Sequence, residues 1–207
     1  MSGAIGNDVV DLCDPDARPG RLHPRFDERA FFAEERAWIG RGAEASRRRW
    51  CLWAAKEAAH KALAQEAWAR TGTALRFAPH RYLAALDARG CGRVELAAPA
   101  PGAGPERAIP VRVGQGLDWI HALALRGDPA RVRAGMLRID GAAEPGRAAR
   151  GLLLASFSEP AGVSLERVGR IPRARLAGRT LPVAVSLSHH GRLVAFARLA
   201  PDEEAGP

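Results

Sequence analysis

The longest helical pattern in the chain runs over residues 45–70 and constrains the fold more than any other feature. Apolar residues recur within it at three- and four-residue steps, namely Leu52, Ala55, Ala59 and Leu63. This spacing predicts one continuous apolar face that must be buried. Gly72 follows the pattern and is a typical residue at which a helix ends. The rest of the chain must therefore supply a layer against which this helix packs.

Outside this helix the pattern is mixed and then mostly extended. Helices are predicted over 26–39 and 147–158, and extended segments over 4–10, 93–97, 109–113, 119–125, 163–171, 181–188 and 193–199. Segments 118–125 and 191–199 resemble each other, since each is a turn followed by a strand of small residues. We therefore expect an α+β fold of two similar lobes, each with antiparallel sheets and a long helix. Their expected ranges are 1–127 and 128–200, with a disordered acidic tail at 201–207.

Composition limits the class of protein. No apolar run approaches the ~20 residues that a membrane helix needs, and the first residues lack the basic region of a signal peptide. The three cysteines have no paired spacing, which favours a reducing cytoplasm over a disulfide framework or a cysteine zinc site. A net charge of +8 favours an anionic partner: nucleic acid, a phosphate-rich small molecule or an acidic protein.

The two lysines stand out against this composition. Only Lys56 and Lys61 among the 31 basic residues are lysine, and they lie five positions apart on the long helix. Lysine is a compact point charge on a flexible stem, whereas arginine is a planar fork, so the two are not interchangeable at a phosphate. Either these positions require an ammonium group, or they are chance survivors of a composition biased toward arginine.

The same helix carries a carboxylate between the lysines. Helical spacing places Trp53, Glu57 and Lys61 on one face and Lys56 and His60 on the adjoining one. The simplest interpretation is an exposed ion pair of Glu57 with Lys61, worth ~0.3–0.5 kcal/mol. The alternative is a site that binds a metal ion and a phosphate group together.

A metal at Glu57 would need a second carboxylate. Magnesium takes one or two protein carboxylates and completes its octahedron with water and substrate phosphate oxygens. Asp8 is the candidate, because it follows Gly6 near the end of a predicted strand, where glycine permits close approach of another backbone. Asp11 is expected to support the metal through water. The alternative is that Asp8 is an ordinary turn aspartate.

A third polar group follows a predicted strand near the C-terminus. The segment 185–191 reads V-S-L-S-H-H-G and places Ser186, Ser188 and His189 at a strand end, where hydroxyls and an imidazole can donate to a phosphate. A serine nucleophile is disfavoured, because G-x-S-x-G is absent from the sequence. A zinc site at the two histidines lacks a third ligand at motif spacing. The remaining alternative is that this segment is a turn with a purely structural role.

Together the three segments resemble the 4'-phosphopantetheinyl transferase superfamily. Its signatures are G-x-D, a W/F-x-x-K-E-x-x-x-K helix and S-x-S-H, which appear here at residues 6–8, 53–61 and 186–189. Segment 31–38, F-F-A-E-E-R-A-W, resembles the intervening aromatic and glutamate segment, with Glu35 as the nearest match. The order of the motifs resembles a two-lobed Sfp-type enzyme with its lobes permuted. This implies a monomer with pseudo-twofold symmetry.

The resemblance implies an activity and roles for its residues. The enzyme would transfer the phosphopantetheine group of coenzyme A to a serine of an acidic apo carrier protein and release 3',5'-ADP. Asp8 and Glu57 would bind Mg²⁺, Lys56 and Lys61 would pair with phosphate oxygens, and Glu57 or a metal-bound water would accept the serine proton. Ser188 and His189 would bind the 3'-phosphate of coenzyme A. No nucleic-acid or membrane partner is implied.

One position departs from the Sfp-type pattern. That pattern is G-x-D-x-E, and Val10 replaces its second direct carboxylate, whereas Asp11 matches the G-x-D-x-x-E of the smaller holo-acyl-carrier-protein synthases. This leaves a catalytically silent coenzyme A or carrier-binding protein as an alternative. An arginine-rich nucleic-acid binder is the other alternative, and it gives Asp8 and Glu57 no role.

Overall fold

The computed structural model describes residues 3–97, 108–141, 143–158 and 161–200. The expected acidic tail at 201–207 lies outside the described residues. The helices are α1 (Phe26–Ala30), α2 (Ala33–Ile39), α3 (Ala45–Thr71) and α4 (Pro145–Leu154). The strands are β1 (Ala4–Asp11), β2 (Tyr82–Leu86), β3 (Cys91–Leu96), β4 (Ala108–Gln115), β5 (Trp119–Arg126), β6 (Val132–Arg138), β7 (Val163–Val168), β8 (Ile171–Leu176), β9 (Arg179–Thr180), β10 (Val185–His190) and β11 (Leu193–Leu199).

The first part of the chain builds an antiparallel sheet under α3. Its strand order is β1-β5-β4-β3-β2, so β1 and β2 are the edges. The predicted apolar face of α3 is buried, because Leu52, Ala55, Ala59 and Leu63 all belong to one core cluster with residues of this sheet. The small side chains along α3 let the helix lie close to the strands.

The second part contributes two smaller antiparallel sheets and a helix. One sheet has the order β10-β11-β6 and packs against α4, and the other has the order β7-β8-β9. The predicted α+β class with antiparallel sheets and a long helix is confirmed. The helices differ in length, since α3 has 27 residues and α4 has 10.

Several element boundaries differ from the sequence predictions. The helix predicted over 26–39 is two helices, because Phe31 and Phe32 adopt extended backbone angles between them. The Glu35 carboxylate accepts the Phe32 N–H at 2.7 Å and thereby starts α2 as a new helix. The strand predicted over 163–171 ends at Val168, and β8 begins only at Ile171, with Gly169 at φ +62° in the turn between them. Strands β2 and β6 were not predicted, because apolar and polar residues alternate only weakly along them.

Strand β1 lies between the two parts of the chain. One of its faces packs on α3, and the other packs on the β10-β11 sheet. On that second face Ile5 contacts Leu199 and neighbouring residues, while Val9 contacts Leu193 and Ala195. The second lobe is therefore docked directly on the strand that carries Asp8. No helix among the described residues is both long and apolar enough to cross a membrane.

Candidate active site

Gly6 brings Asp8 to the long helix. A Cβ built on Gly6 would lie 1.9 Å from the Ala58 carbonyl oxygen and 2.8 Å from the Ala62 nitrogen, both backbone atoms of α3. Only a glycine permits this approach. Because side chains two residues apart share a face of a strand, Asp8 points toward α3 from the same face as Gly6. The close approach predicted from Gly6 is confirmed.

Lys61 connects the two carboxylates. Its Nζ donates to Asp8 Oδ1 at 2.8 Å and to the Asn7 carbonyl at 2.8 Å, and it lies 3.8 Å from Glu57 Oε2. Asp8 is buried, whereas Glu57 and Lys61 are partly exposed. The structure therefore brings Asp8, Glu57 and Lys61 together from positions far apart in the sequence.

The two carboxylates fit a cation between them. Burial, the charge of Asp8 and a hydrogen bond to Asp8 together raise the pKa of Glu57 to about 7, against the opposing effects of Lys61 and a Trp53 hydrogen bond. The single positive charge of Lys61 therefore does not compensate the negative charges of two neighbouring carboxylates. Within the described ranges no three His, Cys, Asp or Glu side chains form a metal-binding group. A two-carboxylate site suits Mg²⁺, which draws its other ligands from water and phosphate.

The S-x-S-H segment meets β1 along its outer edge. Strand β1 pairs with β5 on one side, and side chains satisfy alternate N–H groups on the other. Those bonds are Ile5 N–H to Gln65 Oε1 at 3.2 Å, Asn7 N–H to Ser186 Oγ at 3.0 Å, Val9 N–H to Ser188 Oγ at 3.1 Å and Asp11 N–H to His190 Nδ1 at 3.2 Å. The period of two in S-x-S-x-H matches the period of two along β1.

This contact forms one side of a cleft between the lobes. A cavity of about 190 Å³ is lined by Asp8, Glu57, Lys61, Gly146, Ala149, Arg167, Leu187, Ser188 and His189. Five of the seven predicted site residues are in that lining. His189 is exposed at the cleft, whereas Ser188 is buried. A neighbouring cavity of about 310 Å³ shares Glu57 and Lys61 and is mostly apolar, with Trp68, Leu75 and Phe77 in its lining.

Lys56 is not at this cleft. Its side chain is fully buried, and Nζ donates to Glu35 Oε2 at 2.6 Å, to the Ala30 carbonyl at 2.7 Å and to the Pro79 carbonyl at 3.3 Å. An ammonium has three protons, so none is left for a phosphate. Burial lowers the pKa of Lys56, and the Glu35 carboxylate opposes that effect. The structure thus gives Lys56 a role in joining α3 to α2 in place of the expected phosphate contact.

Asp11 also lies away from the two carboxylates. Three positions along a strand separate opposite faces, so Asp11 points away from the Asp8 side chain. It forms a two-bond ion pair with Arg192 at 2.9 and 3.0 Å and also accepts the Cys13 N–H. Burial would raise the pKa of Asp11, but the Arg192 hydrogen bonds outweigh it and lower the pKa to about 2. Its expected contact with the metal through water is replaced by this ion pair.

The three arginines at the start of α3 are engaged within the chain. Arg47 donates to the Gly116 and Leu117 carbonyls, Arg48 to the Ile39 carbonyl, and Arg49 binds both Asp27 oxygens at 2.6 and 2.8 Å. These arginines connect loops and helices of the first lobe.

Two arginines of the β7–β8 hairpin were missed by the sequence reasoning. Arg167 lines the smaller cavity and Arg170 the larger one, so the turn between β7 and β8 extends over both. Neither has a carboxylate partner within the part of the chain that the structure describes. Their position depends on the hairpin turn, and nothing in the local sequence separates them from the other arginines.

Comparison with known proteins gives one family. Residues 4–92 match a family model described as the 4'-phosphopantetheinyl transferase superfamily, which confirms the resemblance drawn from the sequence. The match supports phosphopantetheinyl transferase activity in general. The matched segment contains β1 and α3 with Asp8, Glu57 and Lys61, and it ends well before Ser188. No curated protein matches the chain.

Proposed function

We propose that this chain, whose residues 4–92 belong to the 4'-phosphopantetheinyl transferase superfamily, transfers phosphopantetheine from coenzyme A to a serine of an apo carrier protein. The observation that carries the proposal is the convergence of Asp8, Glu57 and Lys61 from one lobe with His189 from the other on a single cleft. A diphosphate substrate requires this combination of cation ligands and phosphate donors.

Asp8 and Glu57 are the residues that would hold Mg²⁺. When bound, Mg²⁺ supplies charge neutralisation and Lewis-acid polarisation of the diphosphate. Lys61 lies between the carboxylates and stabilises the charge that develops on the leaving group. His189 and Arg167 bind phosphate oxygens at the exposed side of the cleft.

The reaction needs little covalent help from the protein. The carrier serine oxygen forms a bond to the β-phosphorus of coenzyme A, the bond from that phosphorus to the bridging oxygen breaks, and 3',5'-ADP leaves. The serine proton passes to Glu57 or to water. Positioning and charge stabilisation account for most of the rate enhancement in such transfers.

The larger cavity suits the remainder of the substrate. It adjoins the smaller one at Glu57 and Lys61 and is mostly apolar. An uncharged pantetheine arm extends away from the diphosphate, so this neighbouring volume of about 310 Å³ is where it binds in our proposal. Arg170 at its rim remains available to an anionic group.

Mass spectrometry of an apo carrier tests the proposal. Incubation with the enzyme, coenzyme A and Mg²⁺ is expected to add one phosphopantetheine group, and Glu57→Ala is expected to abolish the addition. A panel of carriers from fatty acid, polyketide and peptide synthesis identifies the pathway. Coenzyme A binding without transfer to any carrier would favour a silent binding protein. Salt-sensitive RNA or DNA binding without coenzyme A binding would favour the nucleic-acid alternative.

A further inference from the structure

Ser186 and Ser188 make the same bond to β1 but differ in one contact. Each hydroxyl accepts an N–H of β1, from Asn7 and Val9 respectively, at 3.0 and 3.1 Å. Only Ser188 also reaches Asp8, to which its hydroxyl donates at 2.8 Å. Both serines are buried. Comparing the two serines therefore distinguishes the bond to β1, which both make, from the bond to Asp8, which only Ser188 makes.

The single proton of the Ser188 hydroxyl is committed to Asp8. A serine hydroxyl has one donor and two acceptor positions. The donor is used by Asp8 Oδ1 and one acceptor by Val9 N–H. No proton is left for a phosphate, so the 3'-phosphate contact expected of Ser188 falls to its exposed neighbour His189.

Two donors converge on the same oxygen of Asp8. Asp8 Oδ1 accepts from Ser188 Oγ and from Lys61 Nζ, each at 2.8 Å. Donors from two different lobes fix the rotation of this carboxylate. Because both donors use Oδ1, we assign the cation to Oδ2, the oxygen that neither of them contacts. Ligating carboxylates that are oriented by such outer contacts bind metal more tightly.

We propose that Ser188 is a positioning residue of the cation site: it orients Asp8 from the opposite lobe and so makes divalent-cation affinity depend on docking of β10 against β1. The inference rests on the proposed function, since it takes Asp8 as a cation ligand. It assigns Ser188 no contact with substrate. Removing the Ser188 hydroxyl should lower the affinity for the cation, whereas removing the matched Ser186 hydroxyl should not.

Manganese binding by the full-length chain tests this role. Free Mn²⁺ is measured by electron paramagnetic resonance with saturating coenzyme A, after correction for Mn²⁺ bound by coenzyme A alone. We expect Ser188→Ala to raise the Kd for Mn²⁺ about 10-fold or more, the usual effect of losing an outer contact to a ligand. Ser186→Ala should stay within about 2-fold of wild type, and Ser188→Thr, which keeps a hydroxyl, should restore most of the affinity.

Thermal unfolding of the same variants separates positioning from packing. Ser186→Ala and Ser188→Ala each remove one N–H partner from β1, and Ser188→Ala also removes the donor to Asp8, so we expect Tm to fall in both variants and at least as far in Ser188→Ala. An equal Mn²⁺ affinity in wild type and Ser188→Ala, or an equal loss in both alanine variants, would overturn the positioning role alone. A wild-type chain that binds no Mn²⁺ in the presence of coenzyme A would contradict the proposed metal site and the inference with it.

Discussion

Lys56 and Lys61 illustrate how one helix assigns different tasks to the same side chain. Lys61 Nζ reaches Asp8 in the cleft, whereas Lys56 Nζ is enclosed by Glu35 and two carbonyls. Glu35 also accepts the Ala84 N–H at 2.8 Å and the Phe32 N–H at 2.7 Å. The buried pair therefore joins α2, α3 and β2, and the partly exposed lysine belongs to the site.

The two lysines should respond differently to removal. Lys56→Ala leaves the Glu35 carboxylate buried without its cation, so we expect the free energy of unfolding to fall by ~3–5 kcal/mol. Lys61→Ala should leave stability near that of wild type but lower kcat about 100-fold, the usual effect of losing one donor to a developing charge. Urea denaturation and the carrier assay measure these effects. A Lys56→Ala variant that is stable but inactive would instead support a phosphate-binding role for Lys56.

Arg167 should contribute to coenzyme A affinity. A charge-assisted hydrogen bond is worth ~1.5–3 kcal/mol, so Arg167→Ala is expected to raise the Kd for coenzyme A about 10-fold or more by isothermal titration calorimetry. Arg112→Ala is the matched control, because Arg112 is exposed on β4 and lines neither cavity. An equal loss of coenzyme A affinity in both variants would indicate a general effect of charge and no direct contact by Arg167.

At the scale of elements, β1 belongs to both lobes. It pairs with β5, packs on α3 through Gly6 and carries N–H groups that β10 side chains accept. Its last residue, Asp11, forms the ion pair with Arg192 in the β10–β11 turn. The docking of the lobes therefore affects Asp8 both through β1 and through the direct bond from Ser188.

The Asp11–Arg192 ion pair should make stability depend on pH in the acid range. The pKa of Asp11 is lowered to about 2 in the folded state, below the ~3.9 of an unfolded chain. The pair therefore stabilises the fold above about pH 4, and that stabilisation is lost as the pH falls through 2. Asp11→Asn is expected to cost on the order of 1–2 kcal/mol at pH 7 and progressively less below pH 4.

Denaturant unfolding at pH 7, 4 and 3 measures this dependence. Asp140→Asn is the control, because the Asp140 side chain is exposed and forms no ion pair among the described residues. A stability loss in Asp11→Asn that stays constant across this range would show that the ionised pair is not its source.

At the scale of the whole molecule, both lobes of one chain contribute to the cleft. Residues 4–126 supply Asp8, Glu57 and Lys61, and residues 132–199 supply Arg167 and His189. We therefore expect a monomer in solution, since the site requires no second copy. Size-exclusion chromatography with light scattering measures the mass, and a stable trimer would contradict this prediction.

The sequence predicted the parts of the site that depend on local geometry. Helical spacing placed Glu57 and Lys61 on one face, and Gly6 indicated a close backbone approach beside Asp8. The direction of Lys56 depends on where α2 and Glu35 pack, which local spacing does not determine. Arg167 could not be found, because its position results from the hairpin at Gly169 and arginine is common throughout the chain.

The expectation for Asp11 depended on where β1 ends. The alternation of side chains places Asp8 and Asp11 on opposite faces only where the strand continues through Asp11. Its position depends on β1 continuing through Asp11, whereas the strand was predicted to end at residue 10. A boundary shift of one residue thus changed the interpretation of a carboxylate.

The most direct test of the central claim is to measure both products of one reaction. Purified enzyme, coenzyme A, Mg²⁺ and a responsive apo carrier are mixed, and 3',5'-ADP is quantified beside the mass of the carrier. We predict one 3',5'-ADP released for each phosphopantetheine group added, with neither product formed by Glu57→Gln. Coenzyme A binding with no 3',5'-ADP and no carrier modification, or full activity in Glu57→Gln, would contradict the account.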